Sequence, residues 1–228
     1  MRVANLETDI ISIKEITNII NPQDSDIILD VGIGHGFVSE NIKSRVKEIV
    51  GVDLEKYNSL PEDITFIKGD IRELRGLQYE FDKAFSRFCF HEITDKLWRA
   101  FANCYNALKP GGKLIVCEDI PPNKTVKQDF IDIFRMKEDR LVFEEEDLVK
   151  YFEEANFKDI QSKRYVLLQQ SVRQWLRCSN LPIQTQRNIF KLYLHAESYF
   201  KEAYNVTITS DEDCLIDMHF TIVSGIKE

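Results

Sequence analysis

Ile28-Leu29-Asp30-Val31-Gly32-Ile33-Gly34-His35-Gly36-Phe37 is the stretch whose reading decides the fold: a short apolar run, an acid near its end, and three alternate glycines that open into a helical pattern. Ligands of open α/β sheets bind at such strand-to-helix turns. Glycine tolerates positive φ and lets a ligand approach the backbone, while the first turn of the following helix offers unpaired N–H groups. The residues point to a cofactor loop. A hairpin or a purely structural turn accounts less well for the acid, the glycines and a second acid, Asp53, closing the next apolar run.

Working outward, the chain alternates strands and helices. Ile27 to Val31, Glu48 to Asp53, Ile64 to Lys68, Phe81 to Ser86 and Lys113 to Cys117 read as buried strands. Between them lie a helix over Phe37 to Lys47 and another striped by Leu97, Trp98, Phe101, Tyr105 and Leu108, which Pro110-Gly111-Gly112 ends. This alternation predicts an α/β fold, doubly wound, with a mostly parallel sheet and helices on both faces. Upstream, Val3, Leu6, Ile10, Ile13, Ile16 and Ile20 mark an amphipathic helix stopped at Asn21-Pro22.

The second half is less regular. A helix is expected over 129–140, then one carrying Leu148, Val149, Phe152 and Ala155, then a strand from Gln161 to Gln169. Ser171 and Gln174 suit a capping box opening a helix around Trp175. One longer helix after Pro182 would carry Ile189, Tyr193, Ala196, Phe200 and Ala203, and Cys214 to Val223 alternates as a strand. The roughly forty residues between these last strands form an excursion from the sheet. The organisation read from this is an N-terminal helix (1–20) lying over the active site, a core of 21–170 with 205–228 that holds the cofactor loop, and a helical cap of 171–204 inserted between the last two strands.

Composition narrows the functional classes. The 228 residues carry 38 acidic and 30 basic side chains, a net charge of −8, and are 43% hydrophobic, which excludes disorder and collagen-like structure. No Lys/Arg tract suits a polyphosphate backbone, so no nucleic-acid partner is expected. Cys89, Cys104, Cys117, Cys178 and Cys214 include no C-x-x-C pair and read as reduced thiols. The opening residues are charged where a secretory signal needs an apolar centre, and no run reaches the ~18 apolar residues of a membrane span. A cytoplasmic protein with no membrane partner is expected. No Asp/His/Cys cluster has metal-ligand spacing, so no metal is expected, and nothing in the pattern fixes an oligomeric state.

The glycine spacing selects the cofactor. A dinucleotide loop reads G-x-G-x-x-G, because its third glycine allows close helix packing beneath a pyrophosphate. Phe37 occupies that third position, and the acid ahead of the loop suits a cation better than a pyrophosphate. S-adenosylmethionine carries an ammonium and a sulfonium. Asp53 is placed to accept from both ribose hydroxyls, and Asp70, after the third strand, to accept from an adenine amino group.

With these motifs in place, the segment from Ile27 to Val116 resembles the class I S-adenosylmethionine-dependent methyltransferases, most of all the type 11 group. The resemblance implies that Asp30, Gly32, Gly34 and Gly36 cradle the methionine portion. It also implies that Asp53 binds ribose, that Asp70 with the backbone of Ile71 binds adenine, and that Ser86, Arg87 and Phe88 lie beside the methionine amine. Leu108-Lys109-Pro110-Gly111-Gly112-Lys113-Leu114 looks like the family's structural turn before strand five. A Rossmann-like sheet of seven strands, the last antiparallel, is implied. One departure is visible: Leu54 to Asp63 is too short for a full helix between strands two and three.

Methyl transfer from a sulfonium is an in-line displacement, so the protein chiefly aligns donor and nucleophile in a site with little water. A base is needed when the acceptor loses a proton. His91 is the preferred base and Glu92 a substrate contact, both just after strand four, although His91 would equally serve as a helix cap or a core hydrogen-bonding group. Glu118 and Asp119, after strand five, would bind a substrate cation or hydroxyl or form a solvated loop. Arg173, Trp175 and Arg177 offer an anion-binding face, unless the arginines pair with surface acids and Trp175 anchors the cap. Tyr193, Tyr199, Phe200 and Tyr204 form an aromatic stripe of packing type, unless some of them line an apolar acceptor site. His195 reads as an interior histidine, and His35 is given no role. The expected activity is methyl transfer to a small-molecule acceptor, leaving S-adenosylhomocysteine. The alternatives are a non-catalytic cofactor-binding or activating subunit, a nicotinamide-dependent oxidoreductase and a macromolecular methyltransferase.

Overall fold

A computed structural model describes residues 7–74, 80–177, 179 and 181–228. Val3, Leu6 and Cys178 lie outside the described residues. The strands are β1 (Ile27–Val31), β2 (Glu48–Asp53), β3 (Thr65–Lys68), β4 (Phe81–Arg87), β5 (Leu108–Asp119), β6 (Lys158–Ser171), β7 (Thr207–Ser210) and β8 (Asp213–Ile226). The helices are α1 (Glu7–Ile20), α2 (Phe37–Ile42), α3 (Leu97–Ala107), α4 (Lys127–Arg135), α5 (Glu145–Glu154), α6 (Val172–Arg177), α7 (Ile183–Leu194) and α8 (Ser198–Ala203).

The sheet order is β3-β2-β1-β4-β5-β8-β6, with β7 paired to β8 off this path. β1 pairs in parallel with both β2 and β4, so the strand order reverses between β1 and β4 and leaves a crevice at the carboxyl ends of these strands. β8 runs antiparallel between β5 and β6. The doubly wound α/β reading and the antiparallel last strand stand, but the sheet has eight strands, because Thr207 to Ser210 folds back as a hairpin on β8. No helix occupies the span between β2 and β3, as its length required.

Strand periodicity sorts the core onto the two faces. Leu29, Val31, Val50 and Val116 face α3 and α5 with Phe101, Leu148 and Phe152, while Ile28, Ile49, Phe85 and Ile115 meet Ile13, Ile16 and Ile20 of α1 and Val38 and Ile42 of α2. A third cluster joins Phe130 and Phe134 of α4 to Leu176, Tyr193, Phe200, Tyr204 and Ile216. It binds the excursion to the helix after β5.

Three sequence expectations are corrected. The helix after Pro182 is two helices, broken between Leu194 and Ser198; Tyr193, Phe200 and Tyr204 pack on one another across the bend, with ring centroids 4.5–6.1 Å apart. His195 ends α7 exposed rather than interior. Glu118 and Asp119 are the last residues of β5 and not a solvated loop, and Glu118 is fully buried. No helix among the described residues is long and apolar enough to cross a membrane.

Candidate active site

One cavity of about 1100 Å³ runs from the glycine loop, past the tips of β4 and β5, to α4 and the cap. Gly32 and Gly34 line its first end and Gly36 does not, and all three have positive φ. A Cβ on Gly32 would lie 2.1 Å from Cys89 Sγ, so that glycine is required by packing. A Cβ on Gly34 would meet only Gly32 O, at 3.9 Å, so this part of the loop is open to an approaching ligand. The Gly34 N–H donates to Asp53 Oδ2 at 2.8 Å, and the Glu55 N–H to Asp53 Oδ1 at 3.3 Å, which fixes the carboxylate at the cavity wall.

Asp30 lies behind the loop, buried, accepting from Ser39 Oγ at 2.6 Å. Burial pushes its carboxyl up to about 7, against the opposing pull of the Ser39 hydrogen bond and the Arg87 charge, with Asp53 adding to the rise. Asp70 is held below the usual carboxylate range by the Arg72 guanidinium, which donates to it at 2.6–3.0 Å. Arg72 thus already engages both oxygens assigned to adenine. Ile71 is buried and lines the cavity. His35 and Tyr57 also line it, their rings 4.5 Å apart, forming a wall where the short β2–β3 connection has no helix. Sequence reading had assigned His35 nothing; its period in the loop carries no sign of the distant Tyr57.

Of the segment after β4, Arg87 and Phe88 line the cavity, and Arg87 Nη1 donates to Ser12 Oγ at 3.0 Å. Ser86 is buried and is not part of the cavity wall, with no hydrogen-bond partner for its hydroxyl among the described residues. α1 reaches the site through Ser12, but none of its described side chains lines the cavity.

Midway along the cavity, the 3₁₀ turn Phe90–Glu92 stands over the end of β5. Glu118 Oε1 accepts from the backbone N–H groups of Cys89, Phe90 and His91 at 3.1, 2.7 and 3.3 Å. Its other oxygen lies 2.7 Å from His91 Nδ1. His91 is buried and lines the cavity, with Nε2 3.8 Å from Glu138 Oε1 and 4.0 Å from Glu92 Oε1. Glu92 itself is largely exposed. The Glu118–His91 pair bridges 27 residues and had no local sequence signal.

The far end is aromatic. Phe130, Phe134, Trp175, Tyr193 and Tyr204 contribute to the wall, with the Phe134 and Trp175 centroids 5.5 Å apart. Lys137, Glu138 and Arg140, which sequence reading passed over, lie among them. Of the predicted anion-binding trio, Trp175 and Arg177 line the cavity and Arg173 does not: its Nη1 pairs with Glu212 at 2.9 Å. Both arginines lie on α6, but with Arg173 drawn to Glu212 only Arg177 is left at the cavity wall. Among the described residues no group of three metal-ligand side chains comes together.

A reversed strand order with a glycine loop at the reversal and an antiparallel strand inserted beside β5 defines the Rossmann-like architecture of the class I methyltransferases. Residues 29–116, well under half of the chain, match a family model described as a methyltransferase domain, and the resemblance to class I S-adenosylmethionine-dependent methyltransferases stands. No curated protein matches the chain. Among solved structures, the YcgJ protein from Bacillus subtilis superposes with a TM-score of 0.83 at 18% identity, covering 95% of this chain and 98% of that one. A Haemonchus contortus phosphoethanolamine N-methyltransferase 2, with phosphomonomethylethanolamine and S-adenosylhomocysteine bound, gives 0.63 at 18%, covering 95% and 52%. A Burkholderia thailandensis 1,6-didemethyltoxoflavin-N1-methyltransferase, holding its substrate and S-adenosylhomocysteine, gives 0.56 at 15%, covering 95% and 76%.

Proposed function

We propose that this chain transfers a methyl group from S-adenosylmethionine to a small-molecule acceptor. The observation that carries the reading is the continuity of the cavity: the open glycine loop, His91 and the aromatic end under the cap line one space. The loop residues fit the cofactor, since Gly34 leaves room at the backbone and the acids Asp30 and Asp53 suit a cation and a ribose diol. The solved methyltransferases of similar fold that hold S-adenosylhomocysteine support the same cofactor.

When bound, S-adenosylmethionine supplies an electrophilic methyl group on a sulfonium. The chain does the rest by placement. Asp53 accepts from the ribose hydroxyls, the backbone of Gly32 to Gly36 receives the methionine portion, and His35 with Tyr57 closes the nucleoside side. His91 is the base: with Nδ1–H donated to Glu118, Nε2 is left to take the acceptor's proton. Phe130, Phe134 and Trp175 give the acceptor end an aromatic wall that limits water there.

Calorimetric titration with S-adenosylhomocysteine tests the cofactor assignment. Asp53→Ala is expected to lose about 1–3 kcal/mol of binding. An unchanged affinity in the variant, or no heat with the parent protein, removes the assignment. Radiolabelled methyl transfer across a panel of small acceptors then tests turnover.

A further inference from the structure

The four buried side-chain atoms left without a hydrogen-bond partner among the described residues are not scattered evenly. Two of them, Arg140 Nη2 and Tyr204 Oη, belong to residues that line the cavity. The Arg140 side chain is only 2% exposed, its guanidinium 4.4 Å from the Phe134 ring centroid. Its Nη1 donates to Glu138 Oε1 at 3.2 Å, and its Nε to the Leu141 carbonyl at 3.2 Å. Nη2 donates to none of the described residues. A buried N–H left unsatisfied costs more than an ordinary hydrogen bond returns, so a site that retains one has a use for it.

Charge indicates what that use is. Glu138 serves two cations at once, with Oε2 on Lys137 Nζ at 2.6 Å and Oε1 on Arg140. Lys137, Glu138 and Arg140 together therefore carry one surplus positive charge. The next acid, Asp119, lies 3.8 Å from Arg140 Nη1. Burial pushes the Asp119 carboxyl up while the Arg140 charge pulls it down, and its contact is with Nη1, so the Nη2 edge keeps no partner among the described residues. A guanidinium edge with free N–H groups matches a planar carboxylate, and aromatic walls match an aromatic body.

We propose that the acceptor is an aromatic carboxylate whose oxygens bind Arg140 Nη2 and the Tyr204 hydroxyl, with its ring against Phe134 and Trp175. Both polar atoms lie out of solvent's reach, so the wall parts slightly as the acid enters. This assignment rests on the methyltransferase reading of the same cavity. It moves the anion site from the Arg173–Arg177 face suggested by sequence to a deeper arginine in the connection between α4 and α5.

The test uses the full chain saturated with S-adenosylhomocysteine and titrated with benzoate and 1-naphthoate, their primary amides, and benzylamine. At least one acid is expected to bind tenfold or more tightly than its amide. Arg140→Gln should remove that preference and Arg140→Lys restore part of it, while S-adenosylhomocysteine affinity stays within twofold. Should Arg140→Gln fail to fold, Tyr204→Phe decides, with an expected loss of three- to tenfold for the acid and little for the amide. Equal binding of acid and amide, no binding of either acid, preference for benzylamine, or an acid preference that survives Arg140→Gln or, in the fallback, Tyr204→Phe each overturns the proposal. If S-adenosylhomocysteine gives no heat while Arg140-dependent acid binding persists, the cofactor reading fails and the anion site stands.

Discussion

At the scale of single residues, Asp30 is the group whose chemistry depends most on where it is put. Its carboxyl, raised from 3.8 to about 7, holds a proton in the folded chain that the unfolded chain has already released. The folded state thus binds more protons between those values, and this residue alone makes stability fall as pH rises from about 4 to 7, with no further change above. Asp30→Asn should remove that slope, so its melting temperature gains on the parent's as pH rises through the window; parallel curves would refute the assignment. A cation bound beside Asp30 favours the ionised form. Calorimetry should therefore find S-adenosylmethionine affinity falling up to tenfold per pH unit below pH 7, with Asp30→Asn losing that dependence. Asp30 and Asp53 were legible because each stands within a few residues of the glycines or a strand end. Glu118 was misread as solvent-facing, since nothing near it in sequence tells that three N–H groups from a turn 27–29 residues earlier converge on it. The same distance hides the remaining link: Glu118→Gln should shift the 15N signature of the His91 ring away from the Nδ1–H form without altering S-adenosylhomocysteine affinity, and an unmoved spectrum would leave Glu118 only a structural role.

At the scale of elements, the loop after β1 shows why pattern reading worked best in the first half. Parallel strands buried on both faces leave unbroken apolar runs, and the turns between them need glycines, so strand and loop both print themselves in the sequence. The loop's φ values make its glycines a mechanical requirement that can be measured. Gly32→Ala imposes a side chain at φ +71°, worth about 1–3 kcal/mol, and drives Cβ into Cys89 Sγ. Urea denaturation should show a loss larger than the backbone strain alone, and Gly32→Ala with Cys89→Gly should recover the packing part but not the strain. A double variant no better than the single one would mean that Cys89 is not what excludes the methyl group. The second half was less legible for a physical reason. A helical stripe through Ile189, Tyr193, Ala196, Phe200 and Ala203 continues across the bend at His195, because aromatic packing and not periodicity ends α7 there. The short β7 gave no apolar alternation, since all four of its residues are exposed.

For the whole molecule, the three apolar clusters predict how stability is divided. The two sheet-face clusters hold β1 to β5 and their helices, and the third holds α4, the cap helices and the first half of β8. Trp175 bridges the cap to α4 through Phe134 and also lines the cavity, so it couples acceptor space to cap seating. Local opening follows the distribution of buried contacts, and a cap with its own cluster can loosen without unfolding the sheet. Trp175→Ala should therefore speed amide hydrogen exchange in α7 and α8 by roughly tenfold or more, the counterpart of at least about 1.4 kcal/mol of lost local stability, while β1, β2 and the glycine loop keep their protection. S-adenosylhomocysteine affinity should stay within twofold, because the tryptophan lies at the other end of the cavity from Asp53 and Gly34. If exchange rises equally in β1 and in α7, cap and sheet form one cooperative unit, and a cap that opens to admit the acceptor while the cofactor stays seated is not available to this fold.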